Sequence, residues 1–173
     1  MKIAIDLEGT LIAECGEFSC ERGNELGRWI LPNGLRTGAR RLLRDLVRCG
    51  NTITLYSSRK HKRSLLRLWC LVNRLPIRHI VTLRSDRKVA LWPPLVGQDL
   101  ILDDNAQNIK TAEKLGVKGL QITSRVPDWI AQVWQVCLGS DEVQTANMRN
   151  FNGTIGASPA YGMQPLARGK RWT

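Results

Sequence analysis

The chain has no apolar run approaching the roughly 18 residues that a membrane-spanning helix needs, no Cys-x-x-Cys pair and no internal repeat. The first absence makes a soluble protein the expectation. Met1-Lys2 leads directly into an apolar strand without the features of a signal peptide, which adds a cytoplasmic location to that expectation. Cys15, Cys20, Cys49, Cys70 and Cys137 are odd in number and unpaired in spacing, which argues for free thiols rather than a disulfide framework or a zinc site. Histidine is scarce too: His61 and His79 stand isolated, so no histidine chemistry is assigned and surface or capping roles are expected of both. Acids are in short supply, 15 against 26 Lys and Arg, for a formal net charge of +11.

What is present suits one domain with a sizeable core, since the chain has 173 residues of which 43% are hydrophobic. Apolar runs at 2–6, 52–57, 79–83, 99–103 and 118–122 read as strands. Between them, Leu42, Leu43, Leu46 and Val47 mark one face of a helix over 36–49. Leu65, Leu68, Trp69 and Val72 mark one face of a second over 64–75. Further helices are expected from Ala106 to Leu115 and from about 127 to 137. Such βαβ alternation predicts a three-layer, Rossmann-like α/β fold, a parallel sheet with helices on both faces. The expected domain spans 1–140, with a small flap over 12–35. Residues 141–173, polar and rich in Gly, Pro, Ser and Asn, read as a flexible basic C-terminal tail.

Three of the strands end in chemistry. Lys2-Ile3-Ala4-Ile5 runs into Asp6-Leu7-Glu8-Gly9-Thr10, two carboxylates two residues apart with a glycine to permit a turn. In open α/β sheets ligands bind beyond the carboxyl ends of the strands, and alternate residues of an extended chain face the same way, so Asp6 and Glu8 can share a pocket. Thr52 to Tyr56 ends in Ser57-Ser58, hydroxyls that serve equally as turn or helix-cap residues. Leu100-Ile101-Leu102 ends in Asp103-Asp104, adjacent acids of which one can cap the following helix, although two carboxylates repel more than a cap requires.

In this order the motifs resemble those of the haloacid dehalogenase-like (HAD) superfamily of Mg²⁺-dependent phosphatases. The first motif of that family is Asp-x-Asp-Gly-Thr/Val. Here Glu8 stands in the second acidic place, a form similar to the Asp-x-Glu-Gly-Thr of enolase-phosphatases. The resemblance covers about residues 1–125 and implies Asp6 as nucleophile, forming an aspartyl-phosphate, and Glu8 as proton shuttle. It implies Ser57 and Ser58 as phosphate-binding residues, together with a lysine before the acidic strand. Lys88 is chosen for that place, with Arg84 and Arg87 as rivals. A Mg²⁺ cofactor would be held by Asp6, the Glu8 carbonyl and Asp104, with Asp103 as ligand or supporting residue. Neither interval between motifs has room for the large cap domain many family members carry, so a capless core with an open site is expected.

Residues 36–78 carry twelve Lys and Arg against Asp45 as the single acid. Two consecutive crossovers in one direction put both helices on one sheet face, so the charges can merge. Arg59, Lys60, Lys62 and Arg63 begin beside the active edge and form a candidate polyanion patch. A sequence pI near 10.0 agrees with a phosphate-rich partner, nucleic acid included. The expected function is thus a Mg²⁺-dependent phosphomonoester hydrolase acting on a phosphorylated substrate. Its rival is a non-catalytic HAD scaffold that binds nucleic acid or protein, and Asp6→Asn separates the two. No membrane partner is expected, and the oligomeric state is not legible.

Overall fold

The computed structural model describes residues 1–13, 18–21, 23–83, 93–124 and 128–139. The described residues up to Cys137 form one compact unit. The segment 141–173 expected to be a tail lies outside the described residues, as does Lys88.

The elements are β1 (Lys2–Asp6), α1 (Glu25–Ile30), α2 (Ala39–Arg48), β2 (Thr52–Ser57), α3 (Arg63–Val72), β3 (His79–Thr82), β4 (Leu100–Asp103), α4 (Ala106–Lys114), β5 (Lys118–Gln121) and α5 (Trp129–Leu138). They build a five-stranded sheet in the order β3-β2-β1-β4-β5, and every pairing is parallel. The result is the Rossmann-like α/β architecture expected from the alternating pattern.

Strand parity divides the core in two. Ile3, Ile5, Ile53, Leu55, Leu100 and Leu102 pack with Leu42, Leu43 and Leu46 of α2, Leu66 and Trp69 of α3, and Trp129 and Val133 of α5. Ala4, Tyr56 and Ile101 pack instead with Ile109 and Ala112 of α4. The chain passes from β1 to β2 to β3 in one direction, and then from β4 to β5 in the other. Both faces are therefore covered, and the order reverses at the β1/β4 boundary. A crevice opens beyond the strand ends at such a switch point. Each fully buried leucine contributes about 1.5–3 kcal/mol to holding these layers together.

The structure departs from the sequence expectation at α3 and at Arg36. On α3 the buried face is Leu66, Trp69 and Cys70, whereas Leu65 and Leu68 are exposed and Val72 is partly so. Arg36, counted among the surface charges, is buried. Its guanidinium lies 4.4 Å from the Phe18 ring centroid and 5.0 Å from that of Trp129, and Nη2 donates to Thr123 O at 2.9 Å. An arginine so enclosed acts as a planar, hydrogen-bonding core group, and burial lowers its pKa.

Among the described residues no helix is long and apolar enough to cross a membrane. Between β1 and β2 the described residues form only α1, α2 and short bridges, Glu8 with Ile12, Ile12 with Leu35 and Cys20 with Arg36. Between β2 and β3 there is only α3.

Candidate active site

The register aligns the acidic residues. Asp6 pairs with Tyr56 across β1 and β2. Ile5 pairs with Leu102 across β1 and β4, which sets Asp103 beside Asp6 on the other side. Tyr56, Asp6 and Asp103 thus form one row at the carboxyl edge of the sheet, on the α4 face. Neighbouring strands lie about 4.8 Å apart, and the Tyr56 side chain spans the width of β1 so that its hydroxyl donates to Asp103 Oδ2. That hydroxyl is buried among three acids, and its pKa is driven far up by burial, then by Asp103 and Asp6. It remains a donor.

Asp103 is held from three directions. Besides Tyr56, the Asn105 backbone N–H donates to Oδ1 at 2.7 Å and Asn108 Nδ2 donates to Oδ2 at 2.7 Å. The cap of α4 is neither aspartate. Asn105 accepts from Gln107 N at 2.8 Å through its side chain, which leaves both acids to the site. Asp103 is 1% exposed, whereas Asp104 is solvent-accessible. Asp104 lies directly over Gly9, where an added Cβ would run into its carboxylate. Gly9 also sits at φ 78°, in the left-handed region that glycine adopts without strain. The turn that Gly9 makes is closed by its N–H donating to Ile12 O at 2.9 Å.

Asp6, Asp103 and Asp104 each offer a carboxylate oxygen within 4.8 Å of the others. Burial raises the Asp6 pKa well above the ordinary carboxylate value. The charges of Asp103, Glu8 and Asp104 raise it further, against a smaller opposing pull from the Leu7 backbone hydrogen bond. Three acids gathered around a buried carboxyl call for a cation, and an all-oxygen donor set suits a hard divalent ion such as Mg²⁺.

Glu8, 7% exposed, turns toward the end of β2. Ser57 Oγ lies 2.8 Å from Oε2 and 3.0 Å from Oε1 and donates its single proton to this carboxylate. The Arg59 backbone N–H donates to Ser57 Oγ at 3.2 Å, folding the loop after β2 back upon Glu8. His61 Nε2 lies 2.7 Å from Glu8 Oε1. The isolated histidine of the sequence is therefore a direct neighbour of the site, contrary to the surface or capping role expected of it. Its only sequence signal was its position in the loop leaving the carboxyl end of β2.

Of the other residues singled out in the sequence, Ser58, Arg59, Lys60 and Lys62 are exposed and Arg63 is partly so. Lys88, Arg84 and Arg87 lie outside the described residues. Arg40 is tied to Glu21 at 3.3 Å and to Asn73 Oδ1 at 3.3 Å, and Arg41 and Arg48 both approach Asp45.

No protein-family model matches the chain, and no curated protein does. Among solved structures, the fold is similar to part of a chain in the structure of the Pnkp1/Rnl/Hen1 complex, with TM-score 0.50 and 18% identity, covering 70% of this chain and 46% of that one. It is similar to a chain of the Pnkp1/Rnl/Hen1 RNA repair complex at TM-score 0.50 and 16% identity, covering 70% and 42%. This chain thus spans less than half the length of either. A HAD family enzyme from Bacteroides thetaiotaomicron, an Asp-to-Ala mutant in complex with magnesium and inorganic phosphate, has TM-score 0.46 and 16% identity over 72% of this chain and 94% of its own.

Proposed function

We propose that the chain is a HAD-type, Mg²⁺-dependent phosphomonoester hydrolase that works through an aspartyl-phosphate on Asp6. The observation that carries this reading is the convergence of Asp6, Asp103 and Asp104 at the switch point of a parallel sheet, with Glu8 beside them. Mg²⁺, held by Asp6, Asp104 and the Glu8 carbonyl with Asp103 in support, would supply the positive charge that lets an anionic nucleophile approach an anionic phosphate.

A carboxylate oxygen of Asp6 attacks phosphorus, and the bond from phosphorus to the leaving oxygen breaks as the acyl phosphate forms. Glu8 gives its proton to that oxygen. It then takes one from the water that attacks the aspartyl-phosphate, releasing phosphate and restoring both side chains. Ser57, Ser58 and Lys88 are assigned to the equatorial oxygens, Ser57 by rotating its hydroxyl away from Glu8. Asp103, immobilised by Tyr56, Asn105 and Asn108, fixes the edge against which Asp104 sits.

Macromolecular phosphates, nucleic-acid ends among them, are the substrates this reading favours. Its supports are exposed Arg59, Lys60 and Lys62 in the loop that also carries His61, and a fold similar to part of an RNA repair complex. The proposed core extends over 1–140, with the flap at 12–35 too small to cap the site and 141–173 as a basic tail. The test is phosphate release from an aryl phosphate and from phosphorylated oligonucleotides with and without Mg²⁺. Activity that requires the metal and disappears in Asp6→Asn is the expected result.

A further inference from the structure

The contacts of Glu8 are an unusual use of a residue expected to move protons. Its carboxylate is almost fully buried, and two side chains reach it, Ser57 from the end of β2 at 2.8 Å and His61 from the β2–α3 connection at 2.7 Å. A carboxylate offers about four lone-pair sites. Ser57 and His61 occupy two, one on each oxygen, and leave two for a reacting group. Glutamate has one more rotatable bond than aspartate, so a glutamate in this place has to be held if its oxygen is to meet a leaving group reliably. The Ser57 hydroxyl holds it until it turns to the phosphate, and the imidazole is left to hold it from then on.

Resting on the phosphatase reading above, we propose that His61 is a positioning residue. By hydrogen bonding to Oε1 it fixes the Glu8 carboxylate beside Asp6 and so sets the proton transfer to the leaving oxygen. The placement of His61 has a local cause. Ser57 Oγ accepts from Arg59 N at 3.2 Å while donating to Glu8, so the turn after β2 is pinned to the carboxylate that His61 then contacts. His61 is one-quarter exposed, against 7% for Glu8, which places it on the solvent side of the carboxylate.

The decisive readout is dependence on the leaving group. A substrate that departs as p-nitrophenolate needs little protonation, whereas an alkyl phosphate needs it fully. In His61→Ala, kcat should fall at least tenfold further on an alkyl phosphate than on p-nitrophenyl phosphate, with KM little changed on either. His61→Gln, which retains a hydrogen-bond donor, should recover a good part of the loss. Equal losses on both substrates, or no loss, would overturn the proposal. The contact itself is read without turnover: in ¹⁵N-labelled protein the His61 Nε2 resonance should move on Glu8→Gln while those of His79 stay in place. A wild-type protein silent on every phosphate, with that resonance still coupled to Glu8, defeats the phosphatase reading and the positioning role with it. An active protein whose His61 resonance ignores Glu8→Gln defeats the positioning role alone.

Discussion

Asp6 shows most sharply how local physics and proposed chemistry meet. Its burial and acidic surroundings hold its carboxyl well above the ordinary range, so the folded chain keeps a proton that the unfolded chain loses at about pH 4. The stability this confers is full below that pH and is lost as pH rises through the folded value. In EDTA, the thermal midpoint of the wild type should fall as pH is raised from about 4 toward neutrality, and Asp6→Asn should flatten that fall. Each unit by which the pKa is raised corresponds to about 1.4 kcal/mol at neutral pH. Parallel curves for the two proteins would contradict the crowding of charge described above. The same substitution removes the proposed nucleophile, so a metal-free fold that gains stability while losing activity is the expected pairing. Asp103 and Asp104 look alike in sequence and differ in place. One is locked by three donors, the other is accessible over Gly9, and only the register of β1 on β4 separates them.

At the scale of elements the strands were legible almost to the residue. Continuous apolar runs ending in polar residues have few other readings in an α/β chain, and β1 and β2 fall at the expected bounds while β3, β4 and β5 are shorter by one residue each. The helices were harder where leucine is abundant. In α3 the set Leu65, Leu68, Trp69 and Val72 and the set Leu66, Trp69 and Cys70 both satisfy helical spacing, and only packing against β3 and α1 decides between them. Leu66 is fully buried and Leu71 is 73% exposed. Leu66→Ala should therefore cost about 2–5 kcal/mol in urea unfolding, and Leu71→Ala should lie within about 0.5 kcal/mol of wild type. A reversed order would mean that the helix is rotated from the face described. The contact of His61 with Glu8 had no periodic signature at all, because the loop that carries it is shaped by Ser57 rather than by any repeat of apolar residues.

On the scale of the whole molecule, a net charge of +11 is spread unevenly and does several jobs. Arg36 is a core residue and Arg40 a half-buried link to Glu21, so neither belongs to a binding surface. Arg59, Lys60 and Lys62 remain exposed on the connection that leaves the edge of the site. Reversing Lys60 and Lys62 to Glu should lower kcat/KM at least tenfold on a phosphorylated oligonucleotide and leave an aryl phosphate within about twofold. The difference should shrink as salt is raised, as expected of phosphate contacts. Equal effects on both substrates would assign these lysines to the site itself rather than to capture of a polyanion.

The most direct measurement of the central claim is phosphate release from p-nitrophenyl phosphate by the purified chain, titrated with Mg²⁺ after EDTA treatment, with Asp6→Asn alongside. Turnover should appear with Mg²⁺, be absent in EDTA, and fall at least a thousandfold in Asp6→Asn. Activity that persists in Asp6→Asn, or a wild type that binds Mg²⁺ and releases no phosphate from any monoester, would contradict it.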